Sequence, residues 1–297
     1  MNVKKTVLIL GLLGAAALLT LTGCIPLREA TRTLTESFDV LGIDIIDLDA
    51  RSSNGSVSVR GIVGATTVEV TATLRSRGST LAEASVRVAQ IDVTMTQSGD
   101  RILLEYDATD HPLGVRMYSG VDFEVTVPVA VDVDVDTSNG SIRIDDVAGI
   151  LGLDTSNGRI TVADAIGDLD AETSNGTIEI ERFEGLLRAE TSNGRIEIDD
   201  FEGAVDATTS NGPIQFSGAL IDTADHRLVT SNGRIDVDIP SDASLRIVAQ
   251  TSNGSISTTL PLIGDTDGRA WDAMLNPPAT GTLTLETSNS GIAIEAL

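Results

Sequence analysis

The segment Thr191-Ser192-Asn193-Gly194-Arg195-Ile196-Glu197-Ile198-Asp199-Asp200-Phe201-Glu202-Gly203-Ala204-Val205-Asp206-Ala207-Thr208 decides the fold. After the Asn-Gly pair, Ile196 and Ile198 alternate with polar residues, the pattern of a half-buried strand. Phe201 and Gly203 fall in a corner. Val205 and Ala207 then alternate again on the way to the next copy at Thr209. Thr-Ser-Asn-Gly occurs seven times, starting at Thr137, Thr155, Thr173, Thr191, Thr209, Thr230 and Thr251, at intervals of 18, 18, 18, 18, 21 and 21 residues. A variant, Thr287-Ser288-Asn289-Ser290-Gly291, follows after 36 residues, and Ser52-Ser53-Asn54-Gly55 is an outlying copy. A fixed period of this size marks stacked structural units.

Neighbouring units fill the same slots. Ile142, Ile144, Val147, Leu151 and Leu153 recur as Ile160, Val162, Ala165, Leu169 and Ala171, then as Ile178, Ile180, Phe183, Leu187 and Ala189. Gly149, Gly167, Gly185 and Gly203 form a column that predicts a tight corner. Two folds satisfy the pattern. In a β-meander each Asn-Gly is a hairpin turn, and every apolar residue lies on one face of a wide sheet that nothing covers. In an all-β parallel solenoid, a single-stranded β-helix of about 18-residue coils, two strands per coil bury these columns between them. The solenoid is favoured. Coils spaced at roughly 4.8 Å give a rod of roughly 40 Å.

The solenoid assigns turn and ladder roles to Asn54, Gly55, Asn139, Gly140, Asn157, Gly158, Asn175, Gly176, Asn193, Gly194, Asn211, Gly212, Asn232, Gly233, Asn253, Gly254 and Asn289. Strand parity places Thr and Asn of each motif on the inward side, with the stacked amides forming an internal ladder. The 36-residue interval, with Pro261, Gly264, Gly268, Trp271, Pro277 and Pro278, reads as one coil with a long loop. Before Thr137 the alternation is less regular. Thr80 and Glu83 form a capping box ahead of Leu81, Ala84, Val88 and Ile91, which predicts one short helix near 80–90 on the solenoid edge.

The N-terminus carries an address. Lys4 and Lys5 precede an apolar run from Val7 to Leu21, and Leu21-Thr22-Gly23-Cys24 follows directly. The sequence resembles the lipobox of bacterial lipoproteins. That resemblance implies cleavage before Cys24 and diacylglycerol on its sulfur, and with Ile25 next, the outer membrane in a Gram-negative host. The expected organisation is a signal peptide over 1–23, a lipidated tether over 24–37, an irregular β part of the solenoid over 38–136 and the regular repeat over 137–297.

Composition narrows the chemistry. The 297 residues include 20 Lys+Arg against 44 Asp+Glu, a formal charge of −24, with 41% hydrophobic and 3% aromatic residues. Removing residues 1–23 takes away both lysines and leaves 18 arginines against 44 acids, a charge of −26. Nucleic acid is a poor partner for such a chain, since phosphate binding needs a basic footprint. Without lysine there is no Walker-type phosphate lysine, Schiff base or covalent pyridoxal phosphate. One cysteine excludes an internal disulfide and a Cys-rich zinc site. No cofactor and no resident metal is expected.

Candidate chemistry is sparse. Asp136, Asp154, Glu172 and Glu190 precede successive motifs, so stacking sets like charges side by side. Asp154, Glu172 and Glu190 are weak calcium candidates on that account, with Arg188 nearby as the competing explanation. Asp132, Asp134 and Asp136 read as a solvated strand face. His111 and His226 each follow an Asp and read as loop residues. Neither a Gly-x-Ser-x-Gly elbow nor an HExxH motif is present.

The lipobox start, the early Ser53-Asn54-Gly55 and the tandem Thr-Ser-Asn-Gly-x-Ile units resemble the bacterial putative-adhesin family, a domain of unknown function in cell-envelope proteins. The resemblance covers most of 38–297 and implies a β-solenoid with no catalytic residues. The resulting expectation is a non-enzymatic, membrane-anchored adhesin-like or scaffold module whose partner is a surface glycan or protein, with the loop around Trp271 as a contact. The alternatives are an envelope-stress accessory binding cationic peptides and a polysaccharide-active β-helix enzyme.

Overall fold

The computed structural model describes residues 27–107 and 119–297. In chain order the strands begin with β1 (Arg28–Asp39), β2 (Ile46–Ser52), β3 (Val57–Ile62) and β4 (Thr67–Gly78), followed by α1 (Leu81–Ala89). Then come β5 (Thr94–Ser98), β6 (Arg101–Tyr106), β7 (Ser119–Pro128), β8 (Val131–Thr137), β9 (Ile142–Asp145) and β10 (Ala148–Thr155). The central strands are β11 (Ile160–Thr173), β12 (Ile178–Thr191), β13 (Ile196–Thr209), β14 (Ile214–Leu220), β15 (Asp225–Thr230) and β16 (Ile235–Ile239). The chain finishes with β17 (Leu245–Thr251), β18 (Ile256–Thr258), β19 (Ile263–Asp265), β20 (Ala270–Leu275), β21 (Gly281–Thr287) and β22 (Ile292–Ala296).

Successive repeats pair in parallel and in register. Ile160 lies opposite Ile178 and Ile178 opposite Ile196, while Thr155, Thr173, Thr191 and Thr209 align in turn. A meander requires antiparallel neighbours, so the parallel solenoid is the fold. One ladder collects the strands that follow the Asn-Gly corners, and the other collects the strands that end in Thr. Strands β11, β12 and β13 bend from the first ladder into the second. The alternating apolar residues of both ladders meet in one core, with Ile142, Ile160, Ile178, Ile196 and Ile214 almost fully buried. Within it Phe183 stacks on Phe201 at a centroid distance of 6.2 Å, and Phe201 meets Phe216 edge to face at 5.6 Å.

The stack and the chain do not run in the same order at the ends. The coil of β2 and β3 lies between the coil of β6 and β7 and that of β8 and β9. At the other end, β21 and β22 insert between the Thr230 coil and the Thr251 coil. The 36-residue interval is therefore not one coil with a loop. The chain runs out to the Thr251 coil, makes β19 and β20, and returns to fill the place beside Thr230.

Antiparallel strands finish both ends. At the proximal end β4 pairs with β7, β1 with β4, and β5 with β6. Helix α1 joins β4 on one ladder to β5 on the other, and Ala84, Val88 and Ile91 close the core beneath it. Its start follows the capping box. Thr80 Oγ1 accepts the Glu83 N–H at 3.1 Å, and the Glu83 carboxylate accepts the Ser79 N–H at 2.8 Å. At the distal end β20 pairs with β17, and β19 with β20.

Two expectations are corrected here. Residues 28–37 of the expected tether belong to β1, which pairs along its whole length with β4. Their period is hidden because the inward row, Ala30, Arg32, Leu34, Glu36 and Phe38, holds two charged residues. Trp271 is not an exposed loop contact: it is 8% exposed, on the inner side of β20, in the distal cap. No helix among the described residues is long and apolar enough to cross a membrane. Cys24, the 1–23 segment and His111 lie outside the described residues.

Candidate functional site

The Thr-Ser-Asn-Gly corners form one continuous edge along the rod. Each Thr is 1–5% exposed. Its hydroxyl donates to the corner carbonyl of the coil before it, as from Thr155 to Gly140 at 2.9 Å and from Thr173 to Gly158 at 3.2 Å. The same oxygen accepts the Gly N–H of its own corner, at 3.1 Å in both coils. A buried hydroxyl that donates and accepts leaves neither backbone group orphaned.

The asparagine ladder lies on the outside of this corner, not inside. Parity fails because the chain bends after the buried Thr, which turns Ser and Asn outward. From every Asn of the ladder but Asn54, Nδ2 donates to the Oδ1 of its neighbour at 2.7–2.9 Å. The spatial order is Asn54, Asn139, Asn157, Asn175, Asn193, Asn211, Asn232, Asn289, Asn253. Every bond points the same way, towards Asn54.

The corner glycines are required by crowding, not by a left-handed backbone. A Cβ on Gly158 would stand 1.7 Å from the Gly140 carbonyl oxygen, and one on Gly176 1.6 Å from that of Gly158. The opposite corner does use the left-handed region. Asp146, Asp164, Arg182 and Asp200 adopt φ of 61°, 54°, 51° and 52°. This column carries no glycine, and the sequence reading passed over it. The Gly column beside it contributes at Gly167, Gly185 and Gly203, with φ of 135° to 155°.

The stacked carboxylates are in register, Asp136 beside Asp154, Asp154 beside Glu172, and Glu172 beside Glu190. Arg188 relieves the last pair. Its guanidinium reaches Asp170 at 2.8 Å and Glu190 at 2.6 Å, and lies 4.0 Å from Glu172. Partial burial, and then the charges of Asp136 and Asp170, push the Asp154 carboxyl up. Among the described residues no group of three or more His, Cys, Asp or Glu is placed to hold a metal ion. Asp132 is structural, accepting the Ile150 N–H at 2.8 Å. Asp49, overlooked in the sequence, is a buried acid held by Arg51 at 2.9 Å and by Arg101.

His226 is buried in β15 and is not a loop residue. It is 1% exposed, Nε2 lies 2.9 Å from the Ile221 carbonyl, and Nδ1 accepts the Val205 N–H at 3.4 Å. Burial holds its pKa below the usual histidine value. Its two bonds tie the 221–226 turn to β13, a structural task.

Surface hollows lie beside these features among the described residues. One of about 410 Å³ crosses the Thr-ending ladder, where exposed Ile150 and Leu186 and half-buried Ala204 lie among Asp168, Asp170 and Asp206. Another, of about 860 Å³, lies at the left-handed corner among Asp164, Arg182, Glu184 and Asp200. A third, of about 600 Å³, opens beside Asn54 at the proximal end, with Arg75 and Arg77 in its wall.

No curated protein matches the sequence. The solved structures it is similar to include a "putative cell adhesion protein" from Clostridium sporogenes, 7% identical over 92% of this chain and 100% of that one, with a TM-score of 0.31. A "putative adhesin" from Bacteroides fragilis is 11% identical over 90% and 97%, with a TM-score of 0.37. A "putative lipid binding protein" from Parabacteroides distasonis is 11% identical over 89% and 96%, with a TM-score of 0.34. The family model described as Toastrack DUF4097 matches residues 111–294. That span takes in all seven Thr-Ser-Asn-Gly corners and the left-handed column opposite them, so the chain belongs to the Toastrack DUF4097 family.

Proposed function

We propose that the protein is a non-enzymatic module of the cell envelope, anchored by lipid on Cys24 and displaying an acidic rod for adhesion or scaffolding. The observation that carries this reading is where the chain enters the fold. β1 is the outermost strand of the proximal end, and only Ile25, Pro26 and Leu27 separate Cys24 from it. A lipid at Cys24 therefore holds the proximal cap at the bilayer, and the coils carry the distal cap roughly 40 Å further. Acyl chains on Cys24 supply about 0.8 kcal/mol per buried methylene. The partner is a surface glycan or protein. In a Gram-negative host the address is the outer membrane.

The test is a Cys24→Ser substitution. The expected result is loss of incorporated fatty acid, loss of membrane association, and loss of cell attachment with the fold intact. Continued membrane association would reject the anchor. Continued attachment after release would reject the display role.

A second reading is favoured by the hollow at Ile150 and Leu186, where an apolar strip lies among acids. A cationic amphipathic peptide fits both its surface and its charge. Such binding weakens as salt screens the acids, and Leu186→Glu abolishes it; binding indifferent to either change rejects the reading. Polysaccharide cleavage would have its place at the left-handed corner. There, however, Asp164 occupies the Arg182 guanidinium at 2.6 Å, and turnover on a polysaccharide panel is the measurement that would revive it.

A further inference from the structure

Asn-Gly is the dipeptide most prone to lose its side-chain amide, because glycine leaves the approach to the Asn carbonyl carbon uncrowded. The Gly nitrogen bonds to Asn Cγ, its proton and the Nδ2 group leave as ammonia, and a succinimide forms. Water then opens the ring to aspartate or isoaspartate. The chain contains eight Asn-Gly pairs. Seven of them are held against this reaction twice over. The Gly N–H is committed to a Thr Oγ1 at 3.0–3.3 Å. The Asn Nδ2 is committed to the next Oδ1 of the ladder at 2.7–2.9 Å.

Asn54-Gly55 is the exception. As the terminal member of a one-way ladder, Asn54 only accepts, from Asn139 Nδ2 at 2.7 Å. Among the described residues neither Asn54 Nδ2 nor the Gly55 N–H makes a hydrogen bond. Ser52 stands in the threonine slot and donates to the Val121 carbonyl at 3.0 Å, without taking the Gly55 N–H. The hollow of about 600 Å³ opens on Asn54, Gly55 and Ser56, which gives water access for ring opening.

We propose that Asn54-Gly55 is a spontaneous deamidation site, and that the ladder protects the other seven Asn-Gly pairs. The end position also makes the product tolerable. An aspartate at 54 still accepts from Asn139, whereas an aspartate at any of the other seven has no amide to donate to the preceding coil. Arg75 and Arg77, paired with Asp122 and Glu29, stand in the wall of the same hollow and lend it positive charge.

The test compares the purified protein, folded and in urea, held in mildly alkaline buffer and then digested with trypsin, which releases residues 52–60 as one peptide. In the folded arm the amide-to-acid mass gain and isoaspartate accumulate in that peptide about tenfold faster than at Asn157, Asn175 or Asn193, since protection follows local structure. In urea the eight rates converge. Thr173→Val, checked for a native melt, removes the acceptor of the Gly176 N–H and raises the folded-state rate at Asn175. Equal rates in the folded arm overturn the proposal. A difference that persists in urea does so too, because local sequence and not the fold then sets it. Should Thr173→Val fail to fold, the folded-against-urea contrast at Asn54 decides alone.

Discussion

In the middle of the rod, from Thr155 to Thr230, each coil rests on the one that precedes it in sequence. At both ends a coil is lodged out of turn, β2 with β3 at one and β21 with β22 at the other. The hydrogen bonds across these out-of-turn contacts are as good as those in the middle. Asn289 meets Asn232 at 2.7 Å and Asn253 meets Asn289 at 2.8 Å. A corner reads the shape of its neighbour and not its place in the chain. Order in the middle follows from short connections, while closure at the ends depends on antiparallel strands and α1, which leave no long parallel edge bare.

The largest expected effect separates the crowded middle from a looser end. Gly176→Ala forces a Cβ to within 1.6 Å of a backbone oxygen, whereas a Cβ on Gly291 finds its nearest atom at 3.1 Å. In urea unfolding Gly176→Ala costs more than about 3 kcal/mol and Gly291→Ala less than about 1. Equal costs would erase the distinction between middle and end.

Next in size is the threonine relay. Thr191→Val strands the Gly176 carbonyl and the Gly194 N–H, which it now serves at 3.2 Å each. The cost is about 2–3 kcal/mol. Ser52→Ala loses only the bond to Val121 and costs about 1 kcal/mol. Thermal melts of the two variants side by side give the ratio.

His226 stands where the ordered middle meets the inserted distal coil, on β15 between β13 and β21. Burial lowers its pKa, so the native state holds fewer protons than the unfolded chain. The stability it contributes is complete above about pH 6.5 and falls as pH drops through the lowered native value. The stability of the wild type relative to His226→Gln therefore declines on acidification. A constant difference between about pH 7 and about pH 5 would show that the ring takes up its proton as readily in the native state as in the unfolded chain.

The smallest effect belongs to the surface. Arg188 and its three acids are all about half exposed, so Arg188→Gln costs less than about 1 kcal/mol. Its signature is a new gain in melting temperature on adding salt, absent from the wild type.

What the sequence disclosed was whatever repeats. The period gave the parallel stack, the apolar columns gave the core, and Thr80 with Glu83 gave α1. What it concealed has physical causes. Identical corners hide which coils touch, so the 36-residue interval looked like a loop. Arg32 and Glu36 break the inward row of β1 and disguised a strand as a tether. The bend after each buried Thr defeats simple alternation, so Asn was placed inside. Asp and Arg at the left-handed corner give no glycine signal. Trp271 sits among Pro and Gly in sequence yet faces the core on β20. Cys24, read as a lipobox cysteine, and His111, read as a loop residue, lie outside the described residues.

The lodging of β21 and β22 also constrains assembly in time. Until β21 and β22 are in place, the Thr230 and Thr251 coils have no strand between them, and Leu228, Val237 and Leu245 lack one layer of neighbours. The far tip thus closes only when the last two strands occupy the slot between its neighbouring layers.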